Sequence, residues 1–327
     1  MAEPTRVDVV AVADDDLGLP DLSENKHIEA IKSSKLTRQT RGEKIFMVFN
    51  YLFFAILCFI MAYPFWHVLM YSFSDVTLAA RGGFFFLPRG FTLNTYNVVF
   101  ASPSIWSGFR VSIFVTFFGT VLGTLLTALT AYPLSKKRLR FSGVFLFIVF
   151  FTMLFNGGMI PNYMLIRNMG LLDSVWALVL PGLVSAFNVI VMKSFFASLP
   201  SSLEESAKID GATDLTIFFR IIIPLSGAVI ATIALFIAVV YWNDFFSTVL
   251  YINTRSRWAL QAILRDLLTN TQAAMQAAGV NVTHAVTFSS ETVQAATVII
   301  ATVPILLVYP FLQKYFVKGV MLGSVKG

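Results

Sequence analysis

The sequence predicts an all-α, polytopic membrane protein with six transmembrane helices. Three observations lead there. Of 327 residues, 57% are hydrophobic and only 13% charged, against roughly 45–50% and 25% in soluble domains. The apolar residues fall in long blocks, as lipid-spanning helices need because backbone polar groups must be satisfied internally. The alternating pattern of outer-membrane strands is missing. Finally, the basic residues lie between the blocks and are distributed unevenly.

Six stretches are long enough to cross a hydrocarbon core about 30 Å thick. They cover approximately residues 45–72, 108–133, 141–164, 172–196, 225–250 and 293–316. The fourth is interrupted by Pro181, Gly182 and Asn188, which a span tolerates when it packs on neighbours or lines a cavity. Sixteen Lys and Arg residues precede the first span, follow the second (SKKRLR, 135–140), follow the fourth, or lie in the tail. Six (Arg81, Arg89, Arg167, Arg255, Arg257 and Arg265) occupy the opposite loops. The positive-inside rule then places both termini in the cytoplasm of a multi-pass cell-membrane protein, which an even number of spans allows. Residues 1–44 read as a cytoplasmic tail, acidic and disordered over its first twenty-five residues, and 45–327 as the transmembrane domain. No signal-peptide pattern opens the chain. Lys193 is expected to snorkel to the cytoplasmic surface.

The net charge of +6 is explained by orientation in the membrane and gives no reason to expect nucleic acid as a partner. One cysteine, Cys58, excludes an intrachain disulfide. His27, His67 and His284 fit no metal spacing, and no Ser/His/Asp arrangement is suggested. The first outer loop, 74–107, is rich in aromatics expected near the interface. The last, 251–291, has helical spacing at Trp258, Ile263, Leu264, Leu267 and Leu268, followed by a run of small residues. Internal repeats of the kind that build inverted-repeat transporters are not evident.

Between the fourth and fifth spans runs SLPSSLEESAKIDGATDLTIFFRIIIPLS. Pro200 ends what precedes it. Ser202 with Glu205 has the spacing of a capping box, and Glu204 and Glu205 suit a first helical turn. Gly211 permits a reversal. Thr213 or Asp214 can cap a second short helix, and Pro224 suits the first turn of the next span. The result is an amphipathic helix–turn–helix at the cytoplasmic surface. Its physics fits a knob docking into another protein or a helix resting on the membrane.

This segment resembles the EAA loop of ABC importer permeases, whose pattern is E-A-A, three residues, Gly, nine residues, I-x-L-P. Glu205, Ser206 and Ala207 stand in the first part, Gly211 at the glycine, and Ile221, Ile223 and Pro224 in the last. Ser206 for Ala and Ile223 for Leu are the departures. The runs FNGGMIPNYMLIRNMGLLDS, NVIVMKSFFASLP, YWNDF and FVKGVMLGSVKG extend the likeness from residue 45 to the end, and it is nearest the carbohydrate group that handles oligosaccharides.

The resemblance implies a type I ABC importer permease fold and a non-enzymatic chain. It also implies partners: two ATP-binding subunits, a second permease subunit of a different chain, an extracytoplasmic solute-binding protein and a carbohydrate substrate. ATP and magnesium would then be cofactors of the ATPase partner and not of this chain, which has no G-x-x-x-x-G-K-[ST] loop. The loop at 200–224, with Glu204, Glu205, Ser206, Ala207, Asp210, Gly211, Ile221 and Pro224, is implied to dock into the ATPase. By position, loop 251–291 is implied to reach the binding protein, and the tail from Lys318 to Gly327 to touch the ATPases.

Polar residues inside spans are functional candidates. Asn188, Tyr241, Trp242, Asn243 and Asp244 supply the amide, carboxylate and aromatic groups that a sugar would meet. Pairing between helices is the competing role. An ion-coupled secondary transporter, or an ABC permease for another solute, is the alternative function.

Overall fold

The computed structural model describes residues 41–136, 138–267, 269 and 291–324. Side chains at 308, 309 and from 311 onward are outside that description. So are the acidic tail, His27, Leu268, His284, the small-residue run before Glu291 and the last three residues of the chain. Among the described residues there is helix and no strand. The chain divides into two units, Met1–Tyr63 and Pro64–Gly327. The described part of the first is helical throughout, as the beginning of α1 (Arg41–Ser72). Pro64, inside that helix, has no N–H to donate to the preceding turn.

The second unit is built on α4 (Pro103–Leu134), after two short helices, α2 (Val76–Ala79) and α3 (Asn94–Ala101). α4 begins five residues before the expected 108, because Pro103 takes the first turn, where a missing N–H costs nothing. There follow α5 (Ser142–Leu154) and α6 (Met159–Asn168), then α7 (Trp176–Gly182) and α8 (Ala186–Ala197). Next come α9 (Ser202–Ile209), α10 (Asp214–Leu225), α11 (Gly227–Asn243) and α12 (Phe246–Tyr251). A helix over residues 260–267, α13, precedes α14 (Glu291–Ser324).

Two helices, α1 and α4, are long and apolar enough to cross a membrane unbroken. Three further candidates are bent pairs: α5 with α6 at 110°, α7 with α8 at 51°, and α10 with α11 at 84°. Counting each pair as one span gives up to five among the described residues. The expected sixth, 293–316, falls in α14, a helix of 34 residues whose side chains are described only in part beyond Leu307. The bends have local causes. Asn156 accepts from the Gly158 amide at 2.9 Å, and Gly158 sits at φ +89°, so FNGG makes a turn in place of a helix. Before the break at Ser226 lies a π-helical turn, Phe218–Ile222. Pro224 follows it, with no N–H to continue the ladder.

The core lies where α4 packs along α11 and α8. α4 buries Gly108, Ser112, Gly119, Gly123, Thr127 and Ala131, one stripe of small residues that lets helices approach closely. Val189, Met192 and Phe196 of α8 meet Ile233 and Ile237 of α11 within one buried cluster. A second cluster joins Trp242 to Leu260, Ile263, Ala296 and Ala301. Ser112 Oγ accepts from the Leu260 amide at 2.8 Å, which satisfies an orphan donor at the start of α13. Ile263 and Leu264, expected in an outward-reaching loop, are buried in this cluster. Of the loop aromatics, Phe85 is buried against His67 and Tyr71, whereas Phe84, Phe86 and Phe91 are exposed.

Candidate coupling site

The EAA-like segment folds as a helix, a tight reversal and a second helix. The expected capping box does not form. Ser202 is the first helical residue, and the cap position falls to Ser201 with helical φ −63° and no side-chain bond. The Glu204 and Glu205 amides instead donate to the Ser201 carbonyl, each at 3.1 Å. The other end is tightly specified. The Gly211 amide donates to the Lys208 carbonyl at 3.0 Å, and the Ala212 amide to the Ala207 carbonyl at 2.9 Å. That pair is a Schellman motif. It sets Gly211 at φ +80°, in the left-handed region that glycine enters without penalty. Thr213 then caps α10, its hydroxyl accepting from the Thr216 amide at 3.3 Å.

Side chains on α9 face two ways. Ala207 is buried, and Glu204 and Lys208 are half-buried. Ser202, Glu205, Ser206, Ile209 and Asp210 are exposed. The spacing 202, 205, 206 and 209 gives one helical face. Ile209 is 87% exposed, an apolar side chain at the tip of a polar face. Sequence reading missed it, although its place directly before Asp210 and Gly211 was a usable signal. Ile221 packs partly buried on the core, whereas Pro224 is exposed.

Ion pairs fasten this segment to the link after α4. Lys136 contacts Glu204. Asp214 receives Arg138 and Lys208, each at 3.0 Å. The Lys208 hydrogen bond, with the charges of Lys208 and Arg138, holds the Asp214 carboxyl below its usual range. Burial, then the charges of Lys208 and Arg138, push Lys136 down to about 8.

The polar residues of the spans separate by what they already bond. The Tyr241 hydroxyl donates to the Val179 carbonyl at 2.7 Å. Trp242 Nε1 donates to the Ala301 carbonyl at 3.3 Å. Asn243 Nδ2 donates to the Val239 carbonyl at 2.8 Å. Asp244, expected within a span, lies just past the end of α11 and accepts from the Ser247 amide at 3.1 Å. Asn188 is buried on α8, and no described hydrogen bond uses its side chain. Tyr241 and Trp242 are also buried, whereas Asn243 is exposed.

Asp173, which sequence reading did not single out, organises a second polar cluster. It adopts φ 58° and accepts from the Asn253 amide at 3.1 Å, the Thr254 amide at 2.8 Å and the Thr254 hydroxyl at 2.6 Å. Arg257 closes on it at 3.3 Å. The two Thr254 bonds, with the Arg257 charge and the Asn253 bond, hold its carboxyl low.

No family model matches the chain. Individual relatives do. The chain is 45% identical over 276 residues to the polygalacturonan/rhamnogalacturonan transport system permease protein YtcP of Bacillus subtilis (strain 168), covering 84% of this chain and 95% of that one. It is 44% identical over 290 residues to Protein LplC of the same strain, covering 88% and 97%. The arabinooligosaccharides transport system permease protein AraQ of Halalkalibacterium halodurans is 27% identical over 279 residues, covering 84% and 94%. Among solved structures, a bacterial ABC transporter involved in the import of the acidic polysaccharide alginate contains a chain that superposes with TM-score 0.76 at 34% identity, covering 85% of this chain and 98% of that one. With this identity over nearly the whole length of its relatives, and with their helical fold, the chain belongs to the family of ABC transporter permease subunits.

Proposed function

We propose that this chain is one membrane-spanning subunit of an ATP-driven importer for an oligosaccharide. It would work with two ATP-hydrolysing subunits, a second permease of a different chain and an extracytoplasmic binding protein. The observation that carries the reading is α9, a short helix with an exposed face of Ser202, Glu205, Ser206 and Ile209 beside the Gly211 reversal. Bolted to the link after α4 by Lys136–Glu204, and to α10 by Lys208–Asp214, it would pass ATPase closure to the spans as a rigid-body motion. Six spans with both termini and α9 on the cytoplasmic side complete the proposal. That orientation is supported by the excess of Lys and Arg in those segments.

The substrate is proposed to be an acidic oligosaccharide. Two of the similar proteins carry names that refer to acidic polymers, polygalacturonan and alginate. Within α4, Arg110 is exposed, and no ion pair among the described residues involves it. A uronate carboxylate would give it a partner. Asn188 would add an amide contact in the pathway. The test is uptake of labelled oligogalacturonate against a neutral oligosaccharide of equal length, in vesicles containing the purified assembly. Uptake of the acidic sugar, dependent on ATP and reduced by Arg110→Gln, is the expected result. Uptake driven by an ion gradient without ATP would overturn the importer reading.

A further inference from the structure

The link after α4 and the beginning of α10 line an open cavity of about 450 Å³. Its charged wall is Lys136, Arg138 and Arg140, with Asp214 as the one carboxylate. Its apolar wall includes Tyr132 from the end of α4 and Phe218 from α10. Lys136 lies over the Tyr132 ring, 4.2 Å from its centroid, and contacts Glu204 outside the cavity. Arg140 stacks on Phe141 and takes part in no ion pair among the described residues. Counting Glu204 and Lys208 as well, four cations face two carboxylates. Lys136 is held low first by burial and then by the charges of Lys208 and Arg138, and an added anion would offset the second of these.

The position matters as much as the charge. α4 ends at Leu134 and α5 begins at Ser142, so the cavity sits where one apolar helix stops and the next begins. A basic rim over an apolar wall at that level suits an amphiphile with an anionic head. We propose that this cavity binds a phosphate-bearing anion, the headgroup of an anionic membrane lipid, between the α4–α5 link and α10. Arginine forks hydrogen-bond phosphate oxygens in pairs, and the acyl chains would leave along the apolar side. An occupied site would cross-link the link to α10 and so stiffen the base on which α9 stands. The inference rests on α4 spanning the membrane and not on ATPase docking, so the two ideas fail separately.

The test is native mass spectrometry of the full chain in its purified assembly, stripped of lipid in detergent. Phosphatidylglycerol, phosphatidylcholine with the same acyl chains, and inorganic phosphate are added in separate arms. Preferential retention of phosphatidylglycerol is expected, falling about five-fold for each of Arg138→Gln and Arg140→Gln, since each basic residue near a lipid surface contributes ~1 kcal/mol. Asp214→Asn removes the competing carboxylate and is expected to increase retention, which keeps the test decisive if an arginine variant fails to fold. Millimolar inorganic phosphate that displaces the lipid supports the shared phosphate chemistry. Equal retention of both lipids, or retention of phosphatidylglycerol unchanged in all three variants, overturns the proposal. Binding of inorganic phosphate with no lipid preference overturns the lipid as its source.

Discussion

Tyr241 of α11 lies against Gly119 of α4 so closely that a β-carbon on the glycine would come within 2.4 Å of the ring. The same hydroxyl donates to the Val179 carbonyl at 2.7 Å, so one side chain joins α4, α7 and α11. A rigid ring cannot yield as a flexible chain end would. Gly119→Ala is therefore expected to destabilise the protein by about 1–3 kcal/mol. Tyr241→Phe, which keeps the ring and removes the bond, is expected to cost about 1 kcal/mol. Thermal unfolding in detergent measures both, and the double variant Gly119→Ala/Tyr241→Ala should recover part of the overpacking cost, because contacting sites are not additive.

Gly211 at φ +80° has open space where a β-carbon would go, with nothing within 4 Å. Any penalty at this position is therefore backbone strain and not a clash. Gly211→Ala is expected to cost about 1–2 kcal/mol and Gly211→Val more, whereas Gly211→Asn is tolerated best because Asn visits the left-handed region. Transport should fall in the same order. Ranking the three variants by uptake and by unfolding temperature checks this, and a Val variant indistinguishable from wild type would refute it.

Asp173 supplies a dependence on pH. Its folded-state carboxyl is held below its ordinary value, first by the bonds from Thr254. Its contribution to stability is present above the unfolded value of about 3.9 and is lost as pH falls through the folded value. The loss is progressive and begins only below about pH 5. Asp173→Asn should lose this dependence, with a flatter stability profile between about pH 5 and pH 2. Unfolding measured across that range decides it, and parallel profiles would contradict the assignment.

Asn188 is buried without a described side-chain partner, while Tyr241, Trp242 and Asn243 donate to main-chain carbonyls. Replacing Asn188 by Leu should leave folding nearly unchanged and reduce uptake. Trp242→Phe should lower the unfolding temperature instead, since the indole N–H to Ala301 is lost. Measuring both properties on both variants separates a pathway residue from a packing residue.

What the sequence revealed depended on how locally each feature is encoded. Gly211 and Pro224 act through their own backbone and Thr213 through a hydroxyl that reaches only three residues on, so the helix–turn–helix at 200–224 was legible. Helical class was legible from apolar blocks alone. The bends were less so. Apolar counting joins 141 to 164 without regard to Asn156 and Gly158, which turn the chain by 110°. Capping failed by one residue, because Ser201 and Ser202 are equivalent by type and only backbone angles distinguish them. Asp173 could not be found, since its partners are eighty residues away. The stripe Gly108, Ser112, Gly119, Gly123, Thr127, Ala131 was visible in principle as small residues at intervals of four and seven. Residue type alone could not show that Tyr241 and Trp242 spend their polar groups on neighbouring helices.

We propose that α9 docks on an ATP-hydrolysing partner. The most direct measurement is ATP hydrolysis by the reconstituted assembly, with and without substrate-loaded binding protein, for wild type, Glu205→Lys and Ile209→Glu. Both side chains are exposed, so neither substitution should unfold the permease. Stimulated hydrolysis in wild type, lost in both variants together with recovery of the ATPase on purification, is the predicted result. Full stimulation and full ATPase recovery in both variants would contradict it.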